Sequence, residues 1–94
     1  MFSDVFRTEY EDAEFFIGNS GTLRTNYVIE KGPFTKLTLM NIFPYSDYIG
    51  LVKITGQKVK EALENGVSQY PKFDGRFPLI SGFKFSFNPD LPPY

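Results

Sequence analysis

Ile17-Gly18-Asn19-Ser20-Gly21-Thr22-Leu23-Arg24 follows directly on the apolar run 13–17, so a short strand is expected to lead into a polar, glycine-broken turn. Such a turn places backbone N–H groups, the Asn19 amide and the Arg24 guanidinium at one edge of a sheet, a geometry suited to gripping an anion or a sugar. A guanidinium can hold two oxygens of one phosphate through parallel bonds. The same residues also suit a plain loop in which Arg24 pairs with a local acid such as Glu30.

Working outward, Phe2, Val5, Phe6 and Tyr10 recur at helical spacing behind Ser3, which predicts a first helix capped by that serine. Lys31-Gly32-Pro33 is a breaker. Residues 35–43 suit either a strand, through Leu37 and Leu39, or one to two helical turns capped by Thr35. Residues 48–54 are apolar on both faces except for Lys53 and read as a buried strand. Thr55 caps a helix in which Val59, Ala62, Leu63 and Val67 share a face, with Gly66 as a candidate stop. Asp74-Gly75 marks a turn. Residues 79–87 alternate, with Phe83, Phe85 and Phe87 on one side, and read as a strand. The proline-rich stretch 88–93 cannot continue a central strand.

Composition narrows the function classes. The 94 residues give room for one domain with a modest core, and 41% hydrophobic content with eleven Phe and six Tyr places the chain among folded proteins. A net charge of −1, without basic runs, argues against a duplex nucleic-acid partner. No apolar stretch reaches membrane-span length, so no membrane partner is expected. With no cysteine there are no disulfides or thiolate metal sites, and the compartment stays open. With no histidine, a Ser, Thr or Tyr nucleophile lacks its usual base, and no carboxylate cluster is recognisable as a two-metal centre. The chain by itself is expected to be inactive, with no catalytic residue, metal ligand or cofactor of its own.

Five segments stand in a telling order. The turn 17–24 is followed by Pro33-Phe34-Thr35 and Ile42-Phe43-Pro44-Tyr45. Then come Ile54-Thr55-Gly56-Gln57-Lys58-Val59-Lys60-Glu61-Ala62-Leu63-Glu64 and Gly75-Arg76-Phe77-Pro78-Leu79-Ile80-Ser81-Gly82. In this order they resemble the C-terminal, substrate-binding domain of the 5'-nucleotidase family, with its N-G-G-G-I-R turn, L-P-F segment, L-T-G-x-x-L-K-E-A-L-E helix and G-R-F-x-x-x-S-G segment. The resemblance spans nearly the whole chain and corresponds to the front half of that domain.

The resemblance implies an α+β fold, a small mixed sheet with two or three helices, over residues 1–94 as a single, incomplete domain. It assigns substrate binding to Asn19, Gly21, Arg24 and Tyr45: Asn19 on the nucleoside, Arg24 on the phosphate side, and Tyr45 stacking on the base. Ser20 and Thr22 stand where the family has glycines, which narrows the approach to the turn. The expected partners are a nucleotide or nucleoside, bound weakly, and an N-terminal metallophosphatase domain that supplies the divalent metals. The alternative is a noncatalytic interaction module that keeps the fold and not the pocket. A half-domain leaves a sheet edge uncovered, so self-association beside Phe83, Phe85 and Phe87 is also expected.

Overall fold

The computed structural model describes residues 1–92. Pro93, at the end of the proline-rich stretch, lies outside them. Three helices and one two-stranded sheet alternate along the chain: α1 (Phe2–Thr8), β1 (Phe16–Asn19), α2 (Lys36–Ile42), α3 (Gly56–Val67) and β2 (Pro78–Ser81). The class is α+β, as expected. The sheet is not mixed but a single antiparallel ladder, pairing Phe16 with Ser81, Ile17 with Ile80, Gly18 with Leu79 and Asn19 with Pro78.

Helix α1 lies across this ladder. It starts at Phe2 with Met1 as N-cap and no side-chain cap bond, so Ser3 is a helical residue and not the cap. Packing explains the difference. Phe2 meets Phe43 edge-on at 5.1 Å, and Phe6 lies 5.3 Å from Phe16 and 5.9 Å from Phe43, which draws Phe2 into the first turn. Tyr10 falls beyond the helix, and its hydroxyl donates to the Ile49 carbonyl at 2.8 Å.

The side of α1 facing β2 is polar. Arg7 Nε donates to Ser81 Oγ at 2.9 Å, and the Ser81 hydroxyl donates to Asp4 Oδ1 at 2.5 Å. Ser81 is buried and both of its hydrogen-bonding capacities are used, as burial of a hydroxyl requires. The next residue, Gly82, has φ +92°, and a Cβ there would lie 2.8 Å from the Glu14 carbonyl oxygen. This backbone turn ends β2 at Ser81, so the strand expected over 79–87 stops after its first three residues. Phe83, Phe85 and Phe87 are not an alternating strand face. Phe83 packs edge-on against Phe15 at 5.3 Å, Phe85 stacks on Phe87 at 6.2 Å, and Phe87 meets Tyr70 at 5.3 Å.

Residues 35–43 resolve to helix. Thr35 Oγ1 accepts from the Thr38 N–H while Thr38 Oγ1 accepts from the Thr35 N–H, a reciprocal capping box that a strand would forfeit. Ile42, at the end of α2, is buried, as is Pro78 at the start of β2. Helix α3 forms as expected behind Thr55, whose hydroxyl accepts from the Lys58 N–H. Gly66 does not stop it. It is buried inside the last turn, where a Cβ would lie 3.1 Å from Pro78 Cδ, so the glycine lets α3 approach the start of β2.

Residues 48–54 are not a buried strand. They run without regular structure and are exposed throughout, because no other strand lies beside them to complete a ladder.

Two outcomes follow. Gly82→Ala forces a Cβ into an unfavourable φ and against the Glu14 carbonyl, and should cost about 1–3 kcal/mol in urea unfolding followed by circular dichroism. The Asp4 carboxyl is held below its ordinary range, chiefly by the Ser81 hydrogen bond and then by the Met1 amino group. A carboxyl lowered on folding stabilises the fold above the ordinary carboxylate range, and that contribution is lost as pH falls through the lowered value. Asp4→Asn should therefore weaken the fold at neutral pH and flatten its loss of stability toward acid, read from the same melts at a series of pH values.

Candidate functional site

The turn after β1 is a single 3-10 turn, Ser20–Thr22, and the loop 74–77 clamps it. The Gly21 N–H donates to the Gly75 carbonyl at 2.8 Å and the Ser20 N–H to the Phe77 carbonyl at 2.8 Å, which continues the ladder beyond Pro78, where proline has no N–H to give. The Asn19 side chain joins this clamp, with Nδ2 donating to the Gly75 carbonyl at 3.2 Å. Because a carbonyl oxygen can only accept, the amide is oriented, with Oδ1 left to accept from a ligand.

Gly21 is required by close approach. A Cβ on it would lie 3.1 Å from both Gly75 Cα and the Gly75 oxygen, and a Cβ on Gly75 would lie 3.1 Å from Gly21 Cα. The substituted positions behave differently. Thr22 Oγ1 donates back to the Asn19 carbonyl at 3.0 Å, and Ser20 Oγ donates to the Asp74 carbonyl at 3.3 Å. The Ser20 hydroxyl turns to the clamp loop and the Thr22 hydroxyl turns back on the strand end.

Arg24 is anchored twice. Its N–H donates to the Ile42 carbonyl at the end of α2 at 2.8 Å, and its Nε donates to the Gly21 carbonyl at 2.8 Å. The guanidinium carbon lies 5.5 Å from the centre of the Tyr45 ring, a cation–π contact. Among the described residues the ion pairs are Met1–Asp4, Lys58–Glu61 and Arg76–Asp74, so Arg24 has no carboxylate partner and does not pair with Glu30. Its terminal nitrogens make no hydrogen bond within the turn. Asn19, Gly21, Arg24 and Tyr45, more than twenty residues apart at the extremes, thus stand in one cluster.

The chain's other arginines are bound into the fold. Arg7 holds Ser81, and Arg76 donates to Asp74 Oδ1 from both its backbone N–H and its Nε at 2.9 Å, with a further bond to Ser68 Oγ. The backbone bond and then the side-chain bond from Arg76 hold the Asp74 carboxyl below its ordinary range. This clamp loop is the part that attention to the turn alone misses, although the Asp74-Gly75 turn and the Gly75-Arg76-Phe77 segment signal it in the sequence. Ser81 and Lys84 stand at a Ser-x-x-Lys spacing, but the Ser81 hydroxyl is taken up by Asp4 and Arg7. Among the described residues no three His, Cys, Asp or Glu side chains gather to hold a metal, and no helix is long and apolar enough to cross a membrane.

Asn19 and Tyr45 line an open groove of about 1390 Å³, whose walls are α1 and β1 on one side and residues 47–54 on the other. That volume exceeds the ~300–1,000 Å³ of most small-molecule pockets.

A family model described as "5'-nucleotidase, C-terminal domain" matches residues 1–94. The chain is 32% identical over 85 residues to the trifunctional nucleotide phosphoesterase protein YfkN of Bacillus subtilis (strain 168), covering 90% of this chain and 6% of that protein. It is 32% identical over 83 residues to Protein 5NUC of Lutzomyia longipalpis, covering 84% of this chain and 14% of that protein. The chain therefore spans a small part of the length of either relative. No solved structure matches.

Gly21→Ala and Gly75→Ala should each open the clamp by forcing two backbones apart, at a cost of about 1–3 kcal/mol for overpacking. Ser20→Ala removes only long, weak bonds and should cost well under half of that. The check is the set of amide chemical shifts of residues 19–24, which should move broadly in the glycine variants and locally in the serine variant.

Proposed function

The chain belongs to the 5'-nucleotidase C-terminal domain family, and from that premise we propose that it is the nucleotide-recognising part of a phosphoester hydrolase. The observation that carries this reading is Arg24: a guanidinium without a carboxylate partner among the described residues, fixed through Nε, leaning on an exposed aromatic ring and set two residues beyond the turn that follows Asn19. A phosphate monoester would meet the terminal nitrogens of Arg24 through charge-assisted bonds. The Asn19 Oδ1 would accept from the nucleoside, and Tyr45 would stack on the base with the ring face that Arg24 does not cover.

In this reading the hydrolysis belongs to a metal-bearing domain. Two divalent ions supply a hydroxide nucleophile and neutralise the phosphoryl charge when bound. This chain has no histidine and no gathering of acids among its described residues, so its own side chains do not fit such a centre. Their part is to bind and orient. A noncatalytic interaction module remains the second reading, favoured by the exposed apolar segment 48–54.

Titration of the chain with adenosine and AMP, followed by amide shifts, separates the two. Binding should be about millimolar, roughly −4 kcal/mol, with shifts at Asn19, Gly21, Arg24 and Tyr45 and a preference for AMP that Arg24→Ala abolishes. Tyr45→Ala should cost on the order of 1–3 kcal/mol of whatever stacking contributes. Shifts scattered away from these residues would favour the interaction module. AMP with added Zn²⁺, Mn²⁺ or Co²⁺ should show no phosphate release that follows the protein peak.

A further inference from the structure

Residues 48–54, Tyr-Ile-Gly-Leu-Val-Lys-Ile, have the composition of a central strand and none of its bonds. No backbone N–H of this segment donates to another backbone group among the described residues, and its one tether is the Tyr10 hydroxyl on the Ile49 carbonyl. Its side chains face water: Tyr48 is fully exposed and Val52 is 74% exposed, with Ile49, Leu51 and Ile54 also open. An unpaired run of this kind is a template for another strand.

The whole chain has surface to bury. Its accessible area is 7997 Å², whereas a compact protein of 10.8 kDa exposes about 5,500 Å². Its radius of gyration, 14.9 Å, also exceeds the ~12 Å of a compact chain of this length. A standard interface takes about 800 Å² from each partner, roughly a third of that excess.

We propose that residues 48–54 pair antiparallel with the same residues of a second copy of this chain, about a two-fold axis at Leu51, closing the groove beside Asn19 and Tyr45. The segment is self-complementary in this register. Tyr48 stands opposite Ile54, Ile49 opposite Lys53 and Gly50 opposite Val52, so no lysine faces its own copy and an aromatic ring meets a β-branched side chain twice. The net charge of −1 per chain opposes this weakly. The Phe83, Phe85 and Phe87 stripe, where the sequence placed self-association, is already in contact with Phe15, Tyr70 and itself. The proposal does not depend on nucleotide binding.

Sedimentation velocity at tens of micromolar, with hydrogen exchange of the 48–54 amides, tests it. The expected result is a dimer, with exchange in 48–54 slowing as concentration rises. Val52→Pro removes a ladder donor that no bond uses in the single chain, and Leu51→Lys sets two cations face to face at the axis. Each should weaken the dimer by on the order of tenfold or more with an unchanged far-ultraviolet spectrum, while Phe85→Lys should leave dimerisation intact. A chain that stays monomeric with fast-exchanging 48–54 amides would overturn the proposal and assign the segment to a strand of a different polypeptide. Open-ended assembly, or a dimer indifferent to both Val52→Pro and Leu51→Lys, would equally overturn it.

Discussion

The constraint that the rest of the structure depends on is the approach of two backbones at Gly21 and Gly75, where a Cβ on either residue would lie 3.1 Å from the backbone of the other. The Gly75 carbonyl takes the Gly21 N–H and the Asn19 amide together, so one oxygen decides where the ladder ends and how the Asn19 side chain is turned. From that point the chain is led by Arg24 to the end of α2, through its bond to the Ile42 carbonyl. Ile42 is buried and Phe43, next in sequence, receives Phe2 and Phe6 of α1. The turn is thus an anchor of the core as well as a candidate binding edge, and the two roles cannot be altered independently.

The two ends of the ladder are secured by different means. At the Asn19–Pro78 end, backbone meets backbone. At the Phe16–Ser81 end, a polar chain from Arg7 through Ser81 to Asp4 fixes α1, and Gly82 turns the chain away. Arg7 and Arg76 are bound into these supports, and an arginine so held is a structural group whatever its charge. Arg24 also bonds through Nε, as Arg7 does, but its side chain is exposed and lies against the open Tyr45 ring rather than against a buried hydroxyl. The distinction rests on exposure and partners, which sequence spacing does not encode.

What was legible in the sequence was local or carried by close approach. The Thr55 cap and the helix after it, the Asp74-Gly75 turn and the strand-to-turn passage before Arg24 are set by neighbours within a few residues, and they stand with small shifts in their bounds. The shift of the first strand from 13–17 to 16–19 follows from its partner, since the rungs exist only where β2 lies opposite. Ser3 is not the cap because the helix already includes Phe2, which packs on Phe43. The strand at 79–87 failed at Gly82, whose positive φ an alternating pattern cannot reveal. Residues 48–54 read as buried because composition reports what a segment would bury, and burial needs a second surface that the other described residues do not offer.

The replacement of two motif glycines by Ser20 and Thr22 has a physical answer in the same clamp. A glycine in such a turn can serve a ligand's approach or the turn's own packing, and only the second is visible here. At Gly21 the backbone of Gly75 lies 3.1 Å from where a Cβ would stand, so a side chain there pushes the two backbones apart. The Ser20 hydroxyl finds a carbonyl of the clamp loop, and the Thr22 hydroxyl folds back onto the Asn19 carbonyl. The turn therefore keeps its shape with hydroxyls where hydrogen would do, and its outward chemistry still rests on the Asn19 oxygen, the Arg24 nitrogens and one face of Tyr45. Tyr45 and Asn19 border the groove that residues 47–54 also wall, so whatever settles that segment sets the depth of the site as well. Recognition by this turn and closure of the exposed segment are, in this geometry, two consequences of one surface.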